Sequence, residues 1–394
     1  MNKRSVRDLD VQGKRVLVRV DFNVPVKGDE VTDDTRIRRA LPTIRHLLSE
    51  GARPALISHL GRPKGEPDPK YAMDPVAKRL EELLGEPVTK LDTATGPEVG
   101  DALDGMGGGV VLLENSRFYP GETKNDAGFA EELAAPFDLY VNDAFGAAHR
   151  AHATTVGAAE RLPSAAGLLM EAEIDYLDGV LKDPRRPFVA ILGGAKVSDK
   201  LGVIESLLGV ADGLLVGGAM CFTFFKAKGY EIGNSLVEND YVEEAKRLMD
   251  AAGERLVLPV DVVVADAMEE GAGTETVPVD GIPAGKMGLD VGPGSVEEFR
   301  GHISGASTIF WNGPMGVFEI DAFAKGTEGV ARAVAEASEG GATSVIGGGD
   351  SVAAVNKLGL DDKMSHISTG GGASLEYVEG KELPGVAVLP EKRS

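Results

Sequence analysis

Short apolar runs alternate with amphipathic segments along most of the chain. The runs are rich in Val, Ile, Leu and Phe and lie at residues 15–22, 53–60, 109–116, 138–145, 187–194, 213–220, 255–266, 307–314 and 343–350. Between them, apolar residues recur at helical spacing, as in residues 33–51 and 237–253. Apolar strands separated by helices are typical of parallel sheets that are covered on both faces. The pattern therefore predicts an α/β protein with doubly wound, Rossmann-like parallel sheets.

The length of the chain predicts two domains, because 394 residues exceed what one hydrophobic core ordinarily serves. Residues 164–187 read as one long helix that ends at Asp-Pro-Arg-Arg-Pro and is followed by a new strand. We therefore expect an N-terminal domain over residues 1–170, an interdomain helix over 171–186 and a C-terminal domain over 187–375.

Polar residues and glycines follow the apolar runs at the points where the strands are expected to end. In doubly wound sheets, ligands bind beyond the carboxyl ends of the strands. In the first half these positions are Asp21, Asn23, His59, Arg62, Asn115, Arg117 and Asp143. In the second half they are Gly193, Gly194, Lys196, Gly217, Gly218, Asp266, Asn312 and the glycines before Asp350. This recurrence predicts one binding site at the sheet edge of each half.

Two glycine triplets occur in the same sequence pattern, which is a β-branched run followed by three glycines and then a helix-like segment. They are "SVIGGGDSVAAV" (344–355) and "HISTGGGASLEYV" (366–378). A glycine turn that enters a helix exposes unpaired N–H groups and the positive end of the helix dipole to an anion. Asp350 in the first triplet adds a hard oxygen ligand suited to Mg²⁺, although an N-cap role is an equal alternative. A third triplet, Gly107 to Gly109, precedes its strand and is expected to be only a loop.

A further phosphate-binding candidate is "LGGAKVSDKLGVIESLL" (192–208). We expect Lys196 and Lys200 to share a helix face, since they stand four residues apart, and to reach one phosphate chain. The stretch is not a Walker A loop, because none of the Gly-Lys pairs in the chain is followed by Ser or Thr. No G-x-G-x-x-G fingerprint follows a strand either. These absences disfavour a P-loop NTPase and a Rossmann dehydrogenase.

The charge distribution separates the two halves. The net charge of −21 excludes most nucleic-acid binders and anionic membrane surfaces. Arginine nevertheless concentrates in residues 1–185, which hold 15 of the 21 arginines and carry a net charge of −7 against −14 for the remainder. Planar bidentate donors in one half favour a site for a small ligand with phosphate and carboxylate groups, although surface ion pairs explain the asymmetry equally well.

Several other classes of function are disfavoured by composition. No run approaches the roughly 20 apolar residues of a membrane span, and the first twenty residues lack the apolar core of a secretory signal. Cys221 is the only cysteine and is expected to be a plain buried residue, which fits a cytoplasmic location. His149 and His152 lack a third ligand at sensible spacing for a metal. No Ser-His-Asp or Cys-His grouping is present, and phosphoryl transfer needs none.

Together these motifs resemble the phosphoglycerate kinase family over essentially the whole chain. The matching stretches, in order, are "VDFNVP", "SHLGRPKG", "LLENSRF", "VNDAFGAAHRAHAT", "GGAKVSDK", "TIFWNGPMGVFE", "GGGDS" and "STGGGAS". The resemblance implies reversible, direct in-line transfer of the acyl phosphate of 1,3-bisphosphoglycerate to MgADP, giving 3-phosphoglycerate and MgATP in glycolysis and gluconeogenesis. It also implies two domains that face each other across a cleft, hinge closure, a C-terminal segment (376–394) that returns to the first domain, and a monomer.

The resemblance also implies a role for individual residues. The phosphoglycerate site would comprise Asp21, Asn23, Arg36, His59, Leu60, Gly61, Arg62, Arg117 and Arg150. The nucleotide site would comprise Lys200, Gly217, Gly288, Asn312, Glu319, Gly348, Gly349, Asp350 and Ser351, with Glu319 on the ribose and Asp350 on Mg²⁺. Arg36, Lys196 and the amides of Gly371 and Gly372 would stabilise the phosphoryl group in the transition state.

Two other hypotheses remain at this point. One is a bilobed binding protein for a phosphorylated metabolite, without catalysis, which the nucleotide-like half and the missing export signal disfavour. The other is an NAD-dependent dehydrogenase, which the absent fingerprint disfavours. Formation of ATP from ADP and bisphosphoglycerate would separate the first from a kinase, and nicotinamide binding would identify the second.

Overall fold

The structure is a computed structural model that describes residues 2–392. The chain divides into two compact units. The first runs to Asp175 and takes up the chain again from Glu382, and the second is Tyr176–Lys381. Nowhere in residues 2–392 is there a helix with the length and apolarity that crossing a membrane requires. Each unit is built around a parallel sheet of its own, and each is described separately below.

The sheet of the first unit is six-stranded within the described residues, and all of its pairings are parallel. Its spatial order is β5-β6-β4-β1-β7-β8. A short antiparallel hairpin, β2 and β3, lies outside it. The strands are β1 (Arg15–Arg19), β2 (Val26–Lys27), β3 (Glu30–Val31), β4 (Arg53–Ile57), β5 (Val88–Lys90), β6 (Val110–Leu112), β7 (Leu139–Asn142) and β8 (Ser164–Ala166).

The helices of the first unit are α1 (Thr35–Ser49), α2 (Asp74–Leu84), α3 (Pro97–Gly105) and α4 (Ala127–Ala134), and α5 (Leu168–Leu181) contains the division between the units. Helix α1 buries Ile37, Ile44 and Leu47 in a core that also contains Val16 and Val18 of β1. Burying each such side chain contributes roughly 1.5–3 kcal/mol, so this core holds β1 rigidly at the centre of the sheet.

The strand order of the first sheet explains where a ligand can bind. β1 pairs with β4 on one side and with β7 on the other, so the direction of winding reverses there. Such a reversal opens a crevice at the carboxyl ends of the strands, because the connections leave on opposite faces. The loops after β1 and β4 begin with Val20 and Ser58, so the residues that follow lie at this crevice.

The second unit repeats the arrangement with a different order, β11-β10-β9-β15-β16-β17, and again all pairings are parallel. The winding reverses between β9 and β15. The strands are β9 (Phe188–Leu192), β10 (Gly213–Val216), β11 (Leu256–Val257), β12 (Asp261–Ala265), β13 (Glu275–Pro278), β14 (Met287–Val291), β15 (Thr308–Asn312), β16 (Thr343–Gly347) and β17 (His366–Ile367).

Its core places the fully buried Trp311 against Phe299, Ile303 and Val334. The helices are α6 (Leu201–Leu208), α7 (Cys221–Ala227), α8 (Val242–Ala252), α9 (Pro293–Ser304), α10 (Lys325–Glu339), α11 (Gly349–Lys357) and α12 (Gly372–Val378); α13 (Pro384–Ala387) belongs to the first unit. Cys221 is buried, as its apolar surroundings in the sequence predict.

Two sequence-based expectations about elements are wrong. Residues 255–266 do not form one parallel strand: β11 joins the parallel sheet, whereas β12 pairs antiparallel with β13 and β14 in a separate small sheet. Pro259 separates the two strands, since proline lacks the N–H that a continuous strand would need. Residues 164–187 are not one helix either, because β8 occupies Ser164–Ala166 and α5 begins at Leu168.

The last described residues pack against the start of the chain. The N–H of Arg4 donates to the carbonyl of Pro390 at 2.9 Å, and the N–H of Lys392 donates to the carbonyl of Asn2 at 3.0 Å. The buried Asn142 at the end of β7 donates from Nδ2 to the carbonyl of Gly385 at 3.0 Å. These bonds attach the segment from Glu382 onward to the first unit.

Candidate active site

Asp21 and Arg36 form an ion pair at the end of β1. Arg36, on the first turn of α1, donates from Nη1 to Asp21 Oδ2 at 2.9 Å and to the carbonyl of Asn23 at 3.3 Å. Burial raises the pKa of the Asp21 carboxyl, but the charges of Arg36 and Arg19 outweigh it and hold that pKa below its usual value. Asp21 is therefore ionised, and Arg36 is held in place with about a third of its side chain exposed.

The loop after β4 is fixed by three side chains. The N–H of Gly61 donates to Asn23 Oδ1 at 2.8 Å, and Arg117 donates from Nη1 to the carbonyl of Gly61 at 2.6 Å. Asn115 accepts from the N–H of Leu60 and donates to the carbonyl of the same residue. Position 61 requires glycine, because its φ is +62° and a Cβ would lie 2.2 Å from the ring of Tyr71. The backbone of Leu60 and Gly61 is thus presented in one conformation.

Guanidinium groups gather beside this loop. Burial lowers the pKa of Arg117, and the neighbouring charges of Arg19, Arg150 and Arg62 lower it further. Within residues 2–392, no group accepts a hydrogen bond from the buried Nε of Arg117. Arg62 and Arg150 are exposed. The structure therefore brings together the arginines that the sequence singles out, and leaves them with donors available for an anion.

His59 differs from the arginines of this site in its charge. The side chain is buried, and burial together with the charges of Arg19, Arg117 and Arg36 lowers its pKa well below its ordinary value, against the opposing charge of Asp21. His59 is therefore neutral at physiological pH. Its position in the loop after β4 is as the sequence predicts.

In the second unit, a cavity of about 730 Å³ lies beyond the carboxyl ends of β9, β10 and β15, and β14 forms one of its walls. Its walls are mostly apolar and include Phe222, Leu289, Val291 and Met315. Of the residues expected to bind a nucleotide, Gly288, Glu319 and Asp350 line it. An apolar cavity of this size with a few polar groups at its rim is typical of a site for a planar ligand.

Lys200 and Asn312 contact each other at the carboxyl ends of the strands of the parallel sheet in the second unit. Lys200 donates from Nζ to Asn312 Oδ1, and Asn312 ends β15 as a buried residue. In the described part of the chain, nothing accepts a hydrogen bond from Asn312 Nδ2. Burial lowers the pKa of Lys200 to about 8, although Asp199, Asp350 and Glu379 favour the charged form. Both side chains are thus poorly satisfied without an anion.

Lys196 and Lys200 do not share a helix face, which corrects the sequence-based expectation. Helix α6 begins at Leu201, after both lysines, and residues 197–200 form a turn. Lys196 is exposed, whereas Lys200 is partly buried. Gly194 is itself not helical, since its φ is +108°, and the N–H of Lys200 closes a turn on the carbonyl of Val197 before the helix begins. The two ammonium groups therefore differ in environment and do not form one clamp.

The glycine triplets lie where the sequence predicts. Helix α11 begins at Gly349, directly after β16, and α12 begins at Gly372 after β17. Position 348 requires glycine, with φ +85° and Asn312 Nδ2 2.8 Å from where a Cβ would stand. Ser351 is buried and accepts from the N–H of Gly313 at 2.5 Å. The third triplet, Gly107 to Gly109, precedes β6 and is a loop, as expected.

A metal site made by the protein alone is absent from the described residues, since no three His, Cys, Asp or Glu side chains are grouped to hold one. Asp350, exposed on the first turn of α11, offers one carboxylate near the cavity. Mg²⁺ in phosphoryl-transfer sites commonly binds one or two carboxylates and takes its other ligands from substrate phosphates and water. The donors present therefore fit Mg²⁺ carried by a nucleotide.

Several residues of both sites were missed at the sequence level. Asp290 lines the cavity, accepts from the N–H of Gly326 at 2.7 Å, and has its pKa raised to about 7 by burial. In the first unit, the residue missed is Arg19, which contacts His59. Arg19 carried a usable signal, because a charged residue inside an apolar strand is rare.

The sequence is similar to those of known proteins over its whole length. Residues 6–381 match the sequence profile of the phosphoglycerate kinase family. A phosphoglycerate kinase of Rubrobacter xylanophilus is 81% identical over 392 residues, covering 100% of this chain and 99% of that protein. One of Thermosipho africanus is 56% identical over 398 residues, covering 100% of this chain and 99% of that protein.

Solved structures agree with the sequence comparison. The phosphoglycerate kinase structure from Coxiella burnetii superposes with a TM-score of 0.88 at 41% identity, covering 98% of each chain. The one from Pyrococcus horikoshii superposes with a TM-score of 0.85 at 34% identity, again covering 98% of each chain. The doubly wound parallel sheets predicted from the hydrophobic pattern are confirmed by these similarities and by the sheets themselves.

Proposed function

The chain belongs to the phosphoglycerate kinase family, and we propose that its first unit binds the phosphoglycerate while its second unit binds the nucleotide. The enzyme is a phosphotransferase with a carboxyl group as acceptor, and it transfers phosphate reversibly between 1,3-bisphosphoglycerate and ADP. The proposal for the units rests chiefly on one observation, the fixed cluster of arginines beside the loop after β4. The reading as a non-catalytic binding protein is not supported by the comparisons.

In the first unit, the phosphoglycerate would meet charged side chains and fixed backbone groups. Arg36, Arg62, Arg117 and Arg150 supply the positive charge for its phosphate and carboxylate. Asn23 and the backbone of Leu60 and Gly61 present further polar groups. Asp21 acts on Arg36, which it orients by the ion pair. Several guanidinium groups with free donors match a small trianion because each can bind an oxygen pair in its own plane.

In the second unit, the nucleotide base and ribose would occupy the apolar cavity, with Gly288 at its wall and Glu319 at the ribose. Lys200, Asn312 and the turn at Gly348, Gly349 and Ser351 would meet the phosphates. Gly217 permits the close packing of β10 against Met315 at the back of the site. The Nδ2 of Asn312, which has no hydrogen-bond partner within residues 2–392, and the partly buried ammonium of Lys200 support this assignment, since an anion would stabilise both.

Mg²⁺ would be held at Asp350 together with the phosphates of the nucleotide, where it would neutralise their charge. The protein itself contributes Arg36, Lys196 and the amides of Gly371 and Gly372 to the transferring phosphoryl group. The first N–H groups of a helix have no acceptor within that helix, so the N–H of Gly372, together with that of the preceding Gly371, would be available to phosphoryl oxygens. We assign no general base, because a carboxylate acceptor carries no proton to remove.

We also propose a cytoplasmic, monomeric enzyme. A single buried cysteine supports a reducing compartment. Sedimentation of the purified protein measures the oligomeric state directly, and a mass near 41.2 kDa is the expected result.

Binding measurements on the full chain test the assignment of the two sites. Isothermal calorimetry with 3-phosphoglycerate and, separately, with MgADP would be performed on Arg62→Ala, Arg117→Ala, Glu319→Ala and Asp350→Ala. We expect the arginine variants to weaken 3-phosphoglycerate binding about tenfold or more while MgADP binding stays within twofold, because a charge-assisted hydrogen bond is worth roughly 1.5–3 kcal/mol. The Glu319 and Asp350 variants are expected to show the reverse.

A coupled assay of ATP formation provides the activity control for the same preparations. If the arginine variants weakened both ligands equally, or if Glu319→Ala weakened 3-phosphoglycerate instead of the nucleotide, the assignment of the units would be wrong even though the kinase activity persisted.

A further inference from the structure

Arg19 is a fully buried arginine at the end of β1, the central strand of the first sheet. Its guanidinium donates from Nε to Thr154 Oγ1 at 2.8 Å and from Nη1 to the carbonyl of Val20. Its Nη2 lies 3.0 Å from His59 Nδ1. Three separate partners therefore fix the orientation of the guanidinium, and the third partner is the imidazole of a residue that we place in the phosphoglycerate site.

The contact with His59 determines which ring nitrogen carries the proton. A guanidinium group has only donors and does not lose its proton in proteins. A hydrogen bond between Nη2 and Nδ1 therefore requires Nδ1 to be the acceptor, with its lone pair directed at Arg19. A neutral imidazole with an unprotonated Nδ1 has its hydrogen on Nε2. Within the described residues, no protein group forms a hydrogen bond with that Nε2.

The buried charge of Arg19 is balanced without a direct carboxylate contact to its guanidinium. Thr154, which accepts from Arg19, donates from Oγ1 to Glu122 Oε1 at 2.6 Å. Glu122 is fully buried and also accepts from Ser116 Oγ at 3.2 Å and from the N–H of Thr154 at 3.0 Å. Removing an ion from water is costly unless it is paired and hydrogen-bonded, so this chain of contacts stabilises Arg19 in its position.

We propose that Arg19 is a positioning residue that holds His59 as the neutral tautomer with its proton on Nε2, so that His59 gives the phosphoglycerate a hydrogen-bond donor and no charge. The inference rests on the proposed placement of His59 in that site. On this proposal, the positive charge of the site comes from arginines alone and does not change with pH. His59 contributes a directed hydrogen bond that orients the phosphoglycerate.

Four charged groups that face His59 influence whether its ring takes up a second proton. They are Asp21, Arg19, Arg117 and Arg36. A trianionic substrate near an ordinary imidazole would favour protonation of the ring, because a nearby negative charge stabilises the cation. Here a second proton would have to occupy Nδ1, where it would oppose the N–H of Arg19. Substrate binding therefore proceeds without proton uptake at His59. The affinity for the substrate is then not changed by titration of this histidine near neutral pH.

Nitrogen-15 NMR of the imidazole rings tests the proposal on the unaltered enzyme. The His59 signals would be identified by their loss in His59→Gln. We expect an unprotonated Nδ1 and a protonated Nε2 that stay unchanged from pH 8 to pH 5.5. A proton on Nδ1 in the neutral ring, or a charged ring at pH 7, would overturn the proposal. Because this measurement uses the wild-type chain, it does not depend on how any Arg19 variant folds.

Addition of 3-phosphoglycerate to the same sample separates the inference from the proposed function. A shift of the Nε2 signal on saturation is expected. If Nε2 carried the proton but did not respond to 3-phosphoglycerate, the placement of His59 in the site would be wrong while the tautomer assignment stood. If the ring became doubly protonated on saturation, the positioning role of Arg19 would be wrong while the site assignment stood.

Kinetic pH profiles of Arg19→Met and Thr154→Val provide the second test. In Arg19→Met we expect the KM for 3-phosphoglycerate at pH 8 to rise about tenfold and to acquire a step near pH 6.5, the ordinary pKa of histidine. In Thr154→Val, which keeps the shape of the side chain, a smaller change of the same kind is expected. Arg15→Met on the same strand is the control, since Arg15 pairs with Asp104 at the surface, and its profile should match the wild type. A flat profile in a folded Arg19→Met enzyme would contradict the proposal.

Discussion

The two units of this enzyme differ in the groups that they offer to the anions that we propose they bind. In the first unit, the groups offered are mainly side chains. Arginines from β1, α1 and the loops after β6 and β7 lie beside a backbone loop that is fixed by Asn23, Asn115 and Arg117. In the second unit, glycine turns at Gly194 and Gly218 line an apolar cavity of about 730 Å³, and the partly buried Lys200 interacts with Asp350 of its lining. The uneven distribution of arginine in the sequence follows this division.

The difference reflects what each ligand offers the protein. A phosphoglycerate is small and charged almost all over, so nearly all recognition has to come from charge and from the rigid placement of donors. A nucleotide brings an apolar base, and burial of that base can supply affinity while backbone amides and Mg²⁺ address its phosphates. The first site is therefore expected to be sensitive to single charge changes, and the second to tolerate them better.

Loss of Arg36 should have the largest effect on activity. We expect Arg36→Ala to lower kcat by roughly 100- to 1000-fold, as for removal of one donor that stabilises transition-state charge. Arg38→Ala is the matched control, because Arg38 lies on the same helix but pairs at the surface with Asp34. Steady-state kinetics on both variants measures the difference. Near-normal turnover in folded Arg36→Ala would remove that residue from the transition state.

Replacement of Asp143 should change the free energy of unfolding but leave the anion site of the first unit intact. It therefore separates a buried charge that affects stability from the charges that bind the ligand. Asp143 Oδ1 accepts from the N–H of Leu169 at 2.9 Å and of Met170 at 3.3 Å, at the start of α5. Burial raises its pKa to about 7 despite hydrogen bonds from Thr43, Met170 and Leu169. The folded chain therefore binds a proton at this carboxyl between pH 4 and 7 that the unfolded chain releases.

Stability contributed by that proton is lost as the pH rises from about 4 to 7. Asp143→Asn keeps an acceptor for both N–H groups and removes the titration, so its free energy of unfolding relative to the wild type should increase over this range, by the order of 1–4 kcal/mol. Urea unfolding at several pH values measures this. The control is Asp138→Asn, at the exposed start of β7; an equal slope for both variants would contradict the assignment.

Removal of the Lys200 ammonium should have a moderate effect on the nucleotide only. We expect Lys200→Met to raise the KM for ADP by roughly 10- to 100-fold, since a charge-assisted hydrogen bond is worth roughly 1.5–3 kcal/mol. The KM for 3-phosphoglycerate should stay within twofold. Lys246→Met, at an exposed position on α8, controls for the loss of one charge. An equal rise in both KM values would erase the distinction between the two sites.

The smallest expected effect is a proton taken up when the nucleotide binds. Burial lowers the pKa of Lys200 to about 8, so part of the population is uncharged at pH 8. Bound phosphates would raise that pKa again and draw in a fraction of a proton. Calorimetry of ADP binding at pH 8 in two buffers with different ionisation enthalpies measures the uptake. It should vanish in Lys200→Met, and uptake that persists there belongs to another group.

The hydrophobic pattern predicted the parallel sheets because long apolar strands and amphipathic helices are local features. It failed at residues 255–266, where the choice between a parallel and an antiparallel partner depends on β13 and β14, strands with little apolar pattern. The strand at Ser164–Ala166 was likewise hidden, since three small residues read as the start of a helix. Pairing of short strands is decided by distant partners, which the local pattern does not contain.

The candidate site shows the same division between local and distant information. Residues that follow strands were found by position alone, and of these Asp21, Asn23 and Arg117 do come together. Arg36 and Gly61, which link them, were supplied by the family resemblance. The environment of His59 was not predictable, because it depends on Arg19, 40 residues earlier, and on Thr154, 135 residues from Arg19. Likewise, i,i+4 spacing suggested a helical pair for Lys196 and Lys200, but residues 197–200 form a turn and the helix begins only at Leu201.

The hydrogen bonds of Arg4 with Pro390 and of Asn142 with Gly385 bear on the order of folding during synthesis. A growing chain leaves the ribosome from its N-terminus, and domains generally fold as units once they have emerged. The first unit lacks its last segment until all of the second unit has been made, whereas the second unit is continuous from Tyr176 to Lys381. The half of the enzyme that is translated first is therefore the half that is completed last.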